Sequence, residues 1–246
     1  MFLKTIGLDK AMSRKQKTIG LLGGMSWEST ATYYRELNEG IKAKLGGLHS
    51  AKICLVSVDF AEIERLQHIE DWDGTAVILS EAAAAIEKGG ADFLLICTNT
   101  MHKVAPQIEA KLSIPILHIA DATAQRLREA GIKKVGLLGT RFTMEQDFYK
   151  GRLVEKYGID VIVPNELERE DVHSVIYNEL CLGVIDENSR DRYLKIIAQL
   201  AANGAEAVIL GCTEIALLVQ QSHTATPLYD TTAIHAEQAV LEALSS

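Results

Sequence analysis

Cysteine is scarce in this chain, with four in 246 residues and no C-x-x-C pair among them. Cys54, Cys97, Cys181 and Cys212 stand far apart, with no histidine ladder beside them, so the usual zinc patterns are excluded and no metal is expected. Long apolar runs are missing too. No stretch approaches the ~20 residues that a membrane helix needs, so no membrane partner is expected. The N-terminus, MFLKTIGLDKAMSRKQ, carries scattered charge and no sustained apolar segment of the secretory kind. Reduced thiols and a cytoplasmic location are therefore expected. A basic excess is also absent: 25 Lys and Arg face 33 Asp and Glu, for a net charge of −8, which argues against a nucleic-acid partner. A locally positive pocket for a small anion remains compatible with that field.

What is present is ordinary globular composition, 48% hydrophobic and 24% charged. The length suits one large domain or two compact ones, and it suffices to bury a core without disulfide or metal staples. Residues 1–16 read as an N-terminal extension, either an alternative start ahead of Met12 or added sequence.

The most informative feature is an internal repeat. KTIGLLGG from Lys17 recurs as KKVGLLGT from Lys133, 116 positions on, and GADFLLICTNT from Gly90 recurs as GAEAVILGCTE from Gly204, 114 positions on. A looser pair, around Pro115 and Pro227, is 112 positions apart. Near-constant spacing in the same order predicts two related halves rather than a solenoid. The expected division is 17–114 plus 226–246 for the first domain and 115–225 for the second.

Short apolar runs, several of them ending in glycine, read as buried parallel strands: Thr18–Leu22, Ile53–Val58, Phe93–Ile96, Ile116–Ile119, Val135–Leu138, Val161–Val163 and Val208–Leu210. Helical patterns lie between them, including Ser26–Leu45, Thr75–Lys88 closed by Gly89-Gly90, and Asp186–Ala202. Strand and helix alternate, which predicts an α/β fold with parallel sheets. The expected architecture is two similar α/β domains related by a pseudo-two-fold axis. Ligands of such sheets bind at the carboxyl ends of strands, here in a cleft between the halves.

The offset of 114 superposes Thr98 on Cys212, Asn99 on Thr213 and Thr100 on Glu214. Two facing halves would bring Thr98 and Cys212 to opposite sides of a bound molecule, a geometry that suits proton removal from one face of a carbon and return to the other. A thiol suits this task, since its reference pKa of about 8.5 lies far nearer neutrality than a hydroxyl's. Donors at Thr213, Asn99 and Thr100 are expected to lower it further. GLLGGMSWEST lacks the G-x-G-x-x-G spacing of a dinucleotide loop, yet its strand-to-helix junction offers the Met25 and Ser26 backbone amides to a carboxylate. Glu214 is open to two compatible roles, contacting substrate and favouring a helix start. Thr140 and Thr143 read equally as site residues or caps. His102 reads as a polar helix-start residue, His118 as a packed strand histidine, and Cys54, Cys97 and Cys181 as structural.

GLLGGMSWEST (20–30), CTNTMHK (97–103), LLGTRFTMEQDFY (137–149) and GCTEI (211–215) together resemble the aspartate/glutamate racemases, over roughly Lys17 to the C-terminus. The resemblance implies two α/β domains, a cleft site, cofactor-free racemisation of an acidic amino acid by paired thiols, and a homodimer. It also implies that the last strand and helix of each half pack with the opposite domain. Members usually carry cysteine where this chain has Thr98. Cys97 lies one residue early and, by strand alternation, should face away from the cleft. The chain closely resembles an atypical Thr/Cys subgroup that prefers L-aspartate and L-glutamate. Because a hydroxyl is a poor base, Cys212 is expected to work well on one enantiomer and the reverse direction to be slow. Many relatives also carry lysine where Leu182 stands, leaving Gln67, Lys103 and Arg141 as candidates to hold a substrate carboxylate. The alternatives are a single-thiol isomerase or decarboxylase of the same superfamily, and a non-catalytic amino-acid binding protein.

Overall fold

The computed structural model describes residues 16–245, so the extension expected at 1–16 lies, apart from Gln16, outside the described residues. In chain order the elements are β1 (Ile19–Gly23), α1 (Trp27–Leu45), β2 (Ile53–Ser57), α2 (Phe60–His68), α3 (Trp72–Lys88), β3 (Phe93–Ile96), α4 (Ala105–Glu109) and α5 (Ile119–Glu129). Then follow β4 (Lys134–Gly139), α6 (Arg141–Glu145), α7 (Asp147–Tyr157), β5 (Asp160–Ile162), α8 (Glu166–Asn178), α9 (Glu187–Ala202), β6 (Ala207–Gly211), α10 (Ile215–Leu218), β7 (Leu228–Asp230) and α11 (Thr231–Ala243).

Two parallel sheets result, ordered β2-β1-β3 and β5-β4-β6-β7. The glycine-ended strands β1 and β4 are central in each half, buried along their length apart from Lys134. Each sheet is covered on both faces. Leu22, Leu94 and Ile96 face α3 and α4, while Ile19, Leu21 and Phe93 face α1 and α11. In the second sheet Leu138, Val208 and Leu210 pack against α8 and α9, and Val135, Leu137 and Ile209 against α5 and α7. This double burial explains why the strands read as continuous apolar runs.

The helix limits follow from capping. Ser26 caps α1 by accepting from the Ser29 N–H, Asp71 starts α3 three residues before the sequence pattern suggests, and Asp186 accepts from Asn188 and Ser189 at the start of α9. Beyond α3, Gly90 at φ +92° makes the left-handed turn into β3.

Two expectations change. The strand expected at Ile116–Ile119 is reduced to a single parallel bridge, Leu94 to Ile116, because His118 caps a helix that begins at Ile119. β7, not anticipated as a strand, pairs with β6. These two segments exchange covers between the halves. Ile116 bridges to the first sheet and α5 packs on the second; β7 joins the second sheet and α11 packs on the first. Residues 226–246, assigned by sequence to the first half, thus give their strand to the second. The close seat of α11 on α1 uses Gly40, where a Cβ would meet Val240 Cγ2 at 2.7 Å. A mid-helix glycine costs about 1 kcal/mol, and here it admits a neighbouring helix. Among the described residues no helix is long and apolar enough to cross a membrane.

Candidate active site

The carboxyl ends of β1, β3, β4 and β6 converge on a narrow cavity whose empty space, open solvent included, is about 430 Å³. Met25, Ser26, Gln67, Thr98, Asn99 and Thr100 line it from the first half; Thr140, Cys212, Thr213 and Glu214 line it from the second. All the sequence-derived site residues therefore meet there except Thr143 and the carboxylate-binding candidates Lys103 and Arg141. Thr143 is fully buried behind the wall and gives its N–H to Thr140 Oγ1, which makes Thr140 the cap of α6. Thr98 and Cys212 are both partly open, whereas most of their neighbours on the strand ends are buried. Cys97 is 0% exposed and packs among Ile19, Leu21 and Tyr33, on the far side of the strand.

The thiol is tied to a carboxylate. Cys212 Sγ donates to Glu214 Oε2 at 3.0 Å, and Glu214 Oε1 accepts from Ser26 Oγ at 2.7 Å. Burial, followed by the Glu214 charge, pushes the Cys212 thiol well above its ordinary range. This corrects the expectation that neighbouring donors lower it: the hydroxyls and amide expected as donors are committed elsewhere. Thr213 Oγ1 takes a hydrogen bond from Thr232 at 3.0 Å and meets Ser29 Oγ at 2.8 Å, while Thr100 Oγ1 meets Thr140 Oγ1 at 3.0 Å. Asn99 Nδ2 donates to Thr231 Oγ1 at 3.0 Å.

That last bond leaves an unpaired acceptor. Thr231 Oγ1 donates onward to the Leu210 carbonyl, so it must accept from Asn99, which fixes the amide's orientation. Asn99 Oδ1 is then buried with no hydrogen-bond partner, in a side chain 4% exposed on the cavity wall. A buried orphan acceptor is costly, and it calls for a donor from a ligand.

Sequence reasoning missed five lining residues, of which Ile176 and Gly211 belong to the core and to a strand end. Cys181, expected to be structural, faces the cavity, with its thiol pushed up to about 12 by burial and by the Glu214 and Glu28 charges. Tyr177 and Phe60 complete the outer wall. Cys181 lies 114 positions after Gln67, so the repeat offset itself carried a signal for it. Of the three residues considered to replace a lysine at Leu182, Gln67 reaches the cavity. Lys103 donates to Gln146 at 2.6 Å and sits 3.9 Å over the Trp72 ring, and Arg141 lines a neighbouring outer cavity with Leu182 itself.

The two histidines behind Thr98 are structural in geometry. His102 Nδ1 lies 2.8 Å from the Thr98 carbonyl, and its Nε2 accepts from the Ile119 N–H. His118, expected in a strand, caps α5. Among the described residues no group of three His, Cys, Asp or Glu side chains is placed to hold a metal ion.

Comparison with known proteins agrees with this arrangement. The broad-specificity amino-acid racemase RacX of Bacillus subtilis (strain 168) is 25% identical over 69% of this chain and 73% of its own length. A crystal structure of a candidate Asp/Glu racemase from Yersinia pestis matches with a TM-score of 0.88 and 57% identity, covering 93% of this chain and 100% of that one. An aspartate racemase homologue from Pyrococcus horikoshii OT3 matches at a TM-score of 0.81 and 33% identity, again over 93% and 100%. The model of the Asp/Glu/Hydantoin racemase family matches residues 22–239. The chain belongs to that family, whose amino-acid racemases are isomerases that work without a cofactor.

Proposed function

We propose that the chain racemises acidic amino acids, aspartate or glutamate, by proton abstraction and return at Cα using Cys212 and Thr98. The observation that carries this reading is that these two side chains, at equivalent positions of the repeat, line one cavity. Glu214 Oε2 accepts the thiol proton, and the thiolate of Cys212 takes the α-proton of the L-enantiomer. The electron pair passes into the α-carboxylate, whose developing charge is held by the Met25–Ser26 loop amides with the backbone N–H groups of Thr100 and Thr213. Thr98 delivers a proton to the opposite face and is reprotonated through water. The substrate ammonium donates to Asn99 Oδ1, and its positive charge offsets the Glu214 charge that helps raise the thiol pKa.

The preference for the L-enantiomer has a specific form. Two enantiomers have equal free energy, so kcat/KM for net inversion is the same in both directions. The thiol–hydroxyl asymmetry appears instead in exchange: the L-amino acid loses its α-proton with retention faster than it inverts. Deuterium incorporation at Cα of L-aspartate and L-glutamate in D2O tests the reading. Cys212→Ala should abolish it, and exchange at the wild-type rate in that variant would remove Cys212 from the mechanism.

The family resemblance also underlies our proposal of a homodimer; a cytoplasmic location and the division into 17–114 plus 226–246 and 115–225, with β7 lent to the second sheet, are proposed from the sequence reading. Light scattering on the purified chain tests the first.

A further inference from the structure

Tyr177 stands between two spaces. On one side is the cavity of Thr98 and Cys212; on the other is a wider outer cavity, about 1140 Å³ with open solvent included, that opens beside it. Phe60, Gln67, Tyr177 and Cys181 line both, so these four side chains form the shared wall. The wall is closed across the halves. The Tyr177 hydroxyl, on α8 of the second half, donates to Gln67 Oε1, on α2 of the first, at 3.3 Å. The Tyr177 ring is held from outside by His173, whose ring lies 4.8 Å away at 57° and whose Nδ1 accepts from the Arg141 N–H. Tyr177 is thus fixed at both its tip and its face.

An amino acid with Cα between Thr98 and Cys212 has its ammonium and α-carboxylate drawn to the buried strand ends. Its side chain then projects the other way, toward the shared wall. We propose that Tyr177 is the specificity-determining residue of this site, setting the length of the amino-acid side chain that the inner cavity accepts. Shortening it joins the two cavities and admits longer substrates. This rests on the proposed racemase reading.

The test uses a series that grows one methylene at a time, L-aspartate, L-glutamate and L-2-aminoadipate, with α-proton exchange in D2O and calorimetric Kd both measured. One methylene in a fitted pocket is worth roughly ten- to two-hundredfold in discrimination. In Tyr177→Ala the aminoadipate-to-aspartate ratio, by kcat/KM and by Kd, should rise at least about tenfold over wild type. Tyr177→Leu, which keeps apolar contact with the core, should move it in the same direction. Tyr177→Phe, which keeps the ring and loses the bond to Gln67, should leave it within about threefold. Ratios in both shortened variants equal to wild type would overturn the inference. Wild-type protein that binds these amino acids without exchanging their α-protons would instead overturn the racemase reading, and the Kd ratios would still decide the role of Tyr177.

Discussion

Ser26 Oγ donates to Glu214 Oε1 at 2.7 Å across the boundary between the halves, and the repeat reproduces this contact as a bond between Thr140 and Thr100 at 3.0 Å. Thr100 lies 114 positions before Glu214, and Ser26 and Thr140 are the caps of the helices that follow the paired strands β1 and β4, the approach to the cap being two residues shorter in the second half. In each case a helix cap of one half reaches the strand end of the other. The two contacts differ in charge, since one ends on a carboxylate that also holds the thiol of Cys212.

That difference predicts unequal costs. Ser26→Ala loses a cap and strands a buried carboxylate oxygen, whereas Thr140→Ala loses a cap and a neutral bond. Urea unfolding should find Ser26→Ala destabilised by about 2 kcal/mol, and by about 1 kcal/mol more than Thr140→Ala. Equal losses would show that the carboxylate bond adds nothing.

Thr98→Cys replaces a weak base with a thiol on the second face. Exchange at Cα of the D-enantiomer should rise by at least about tenfold, and exchange with retention on the L-enantiomer should give way to inversion. Chiral chromatography combined with proton NMR in D2O reads both.

Glu214→Gln should lower the pKa of Cys212, because the carboxylate raises it both by its charge and by accepting the thiol proton. The pH profile of thiol alkylation, in a Cys181→Ser background so that one cavity thiol is followed, should shift toward lower pH. Exchange activity should fall at the same time, since the proton acceptor is lost. An unshifted alkylation profile would mean that burial alone sets the thiol.

Acid should weaken the fold through its buried histidines. His235 is 0% exposed, accepts from the Tyr33 hydroxyl at 2.8 Å and donates to the Leu117 carbonyl at 2.7 Å. Burial lowers its pKa from 6.5 to about 4, and burial lowers that of His118 to about 3. The unfolded chain binds protons that the folded one refuses, so stability is full above pH ~6.5 and falls as pH drops toward ~4, by on the order of 1 kcal/mol per pH unit for each such histidine. Urea midpoints across this range should show the slope, and His235→Asn should make it shallower.

Much of the site was legible because it was written twice. Thr98 carries no chemical signal of its own and was found through its offset from Cys212. The same arithmetic pointed from Gln67 to Cys181, yet Cys181 sits among apolar residues and reads as core. Tyr177 was invisible for a related reason: on α8 it lies beside the core stripe of Val172, Val175 and Ile176 rather than on it, and its opening to the cavity depends on a partner in the other half.

The alternation of strands and helices, the parallel sheets and the meeting of Thr98 and Cys212 on one cavity were legible in the sequence alone, because period, glycine placement and repeat offset are local or arithmetic properties. The pairing of β7 with β6, the carboxylate that holds the thiol, the unpaired Asn99 oxygen and the Tyr177 wall were decided by tertiary structure. Each depends on which groups from distant parts of the chain meet in a space closed to water, and hydrogen-bond satisfaction and pKa follow from that neighbourhood rather than from residue type.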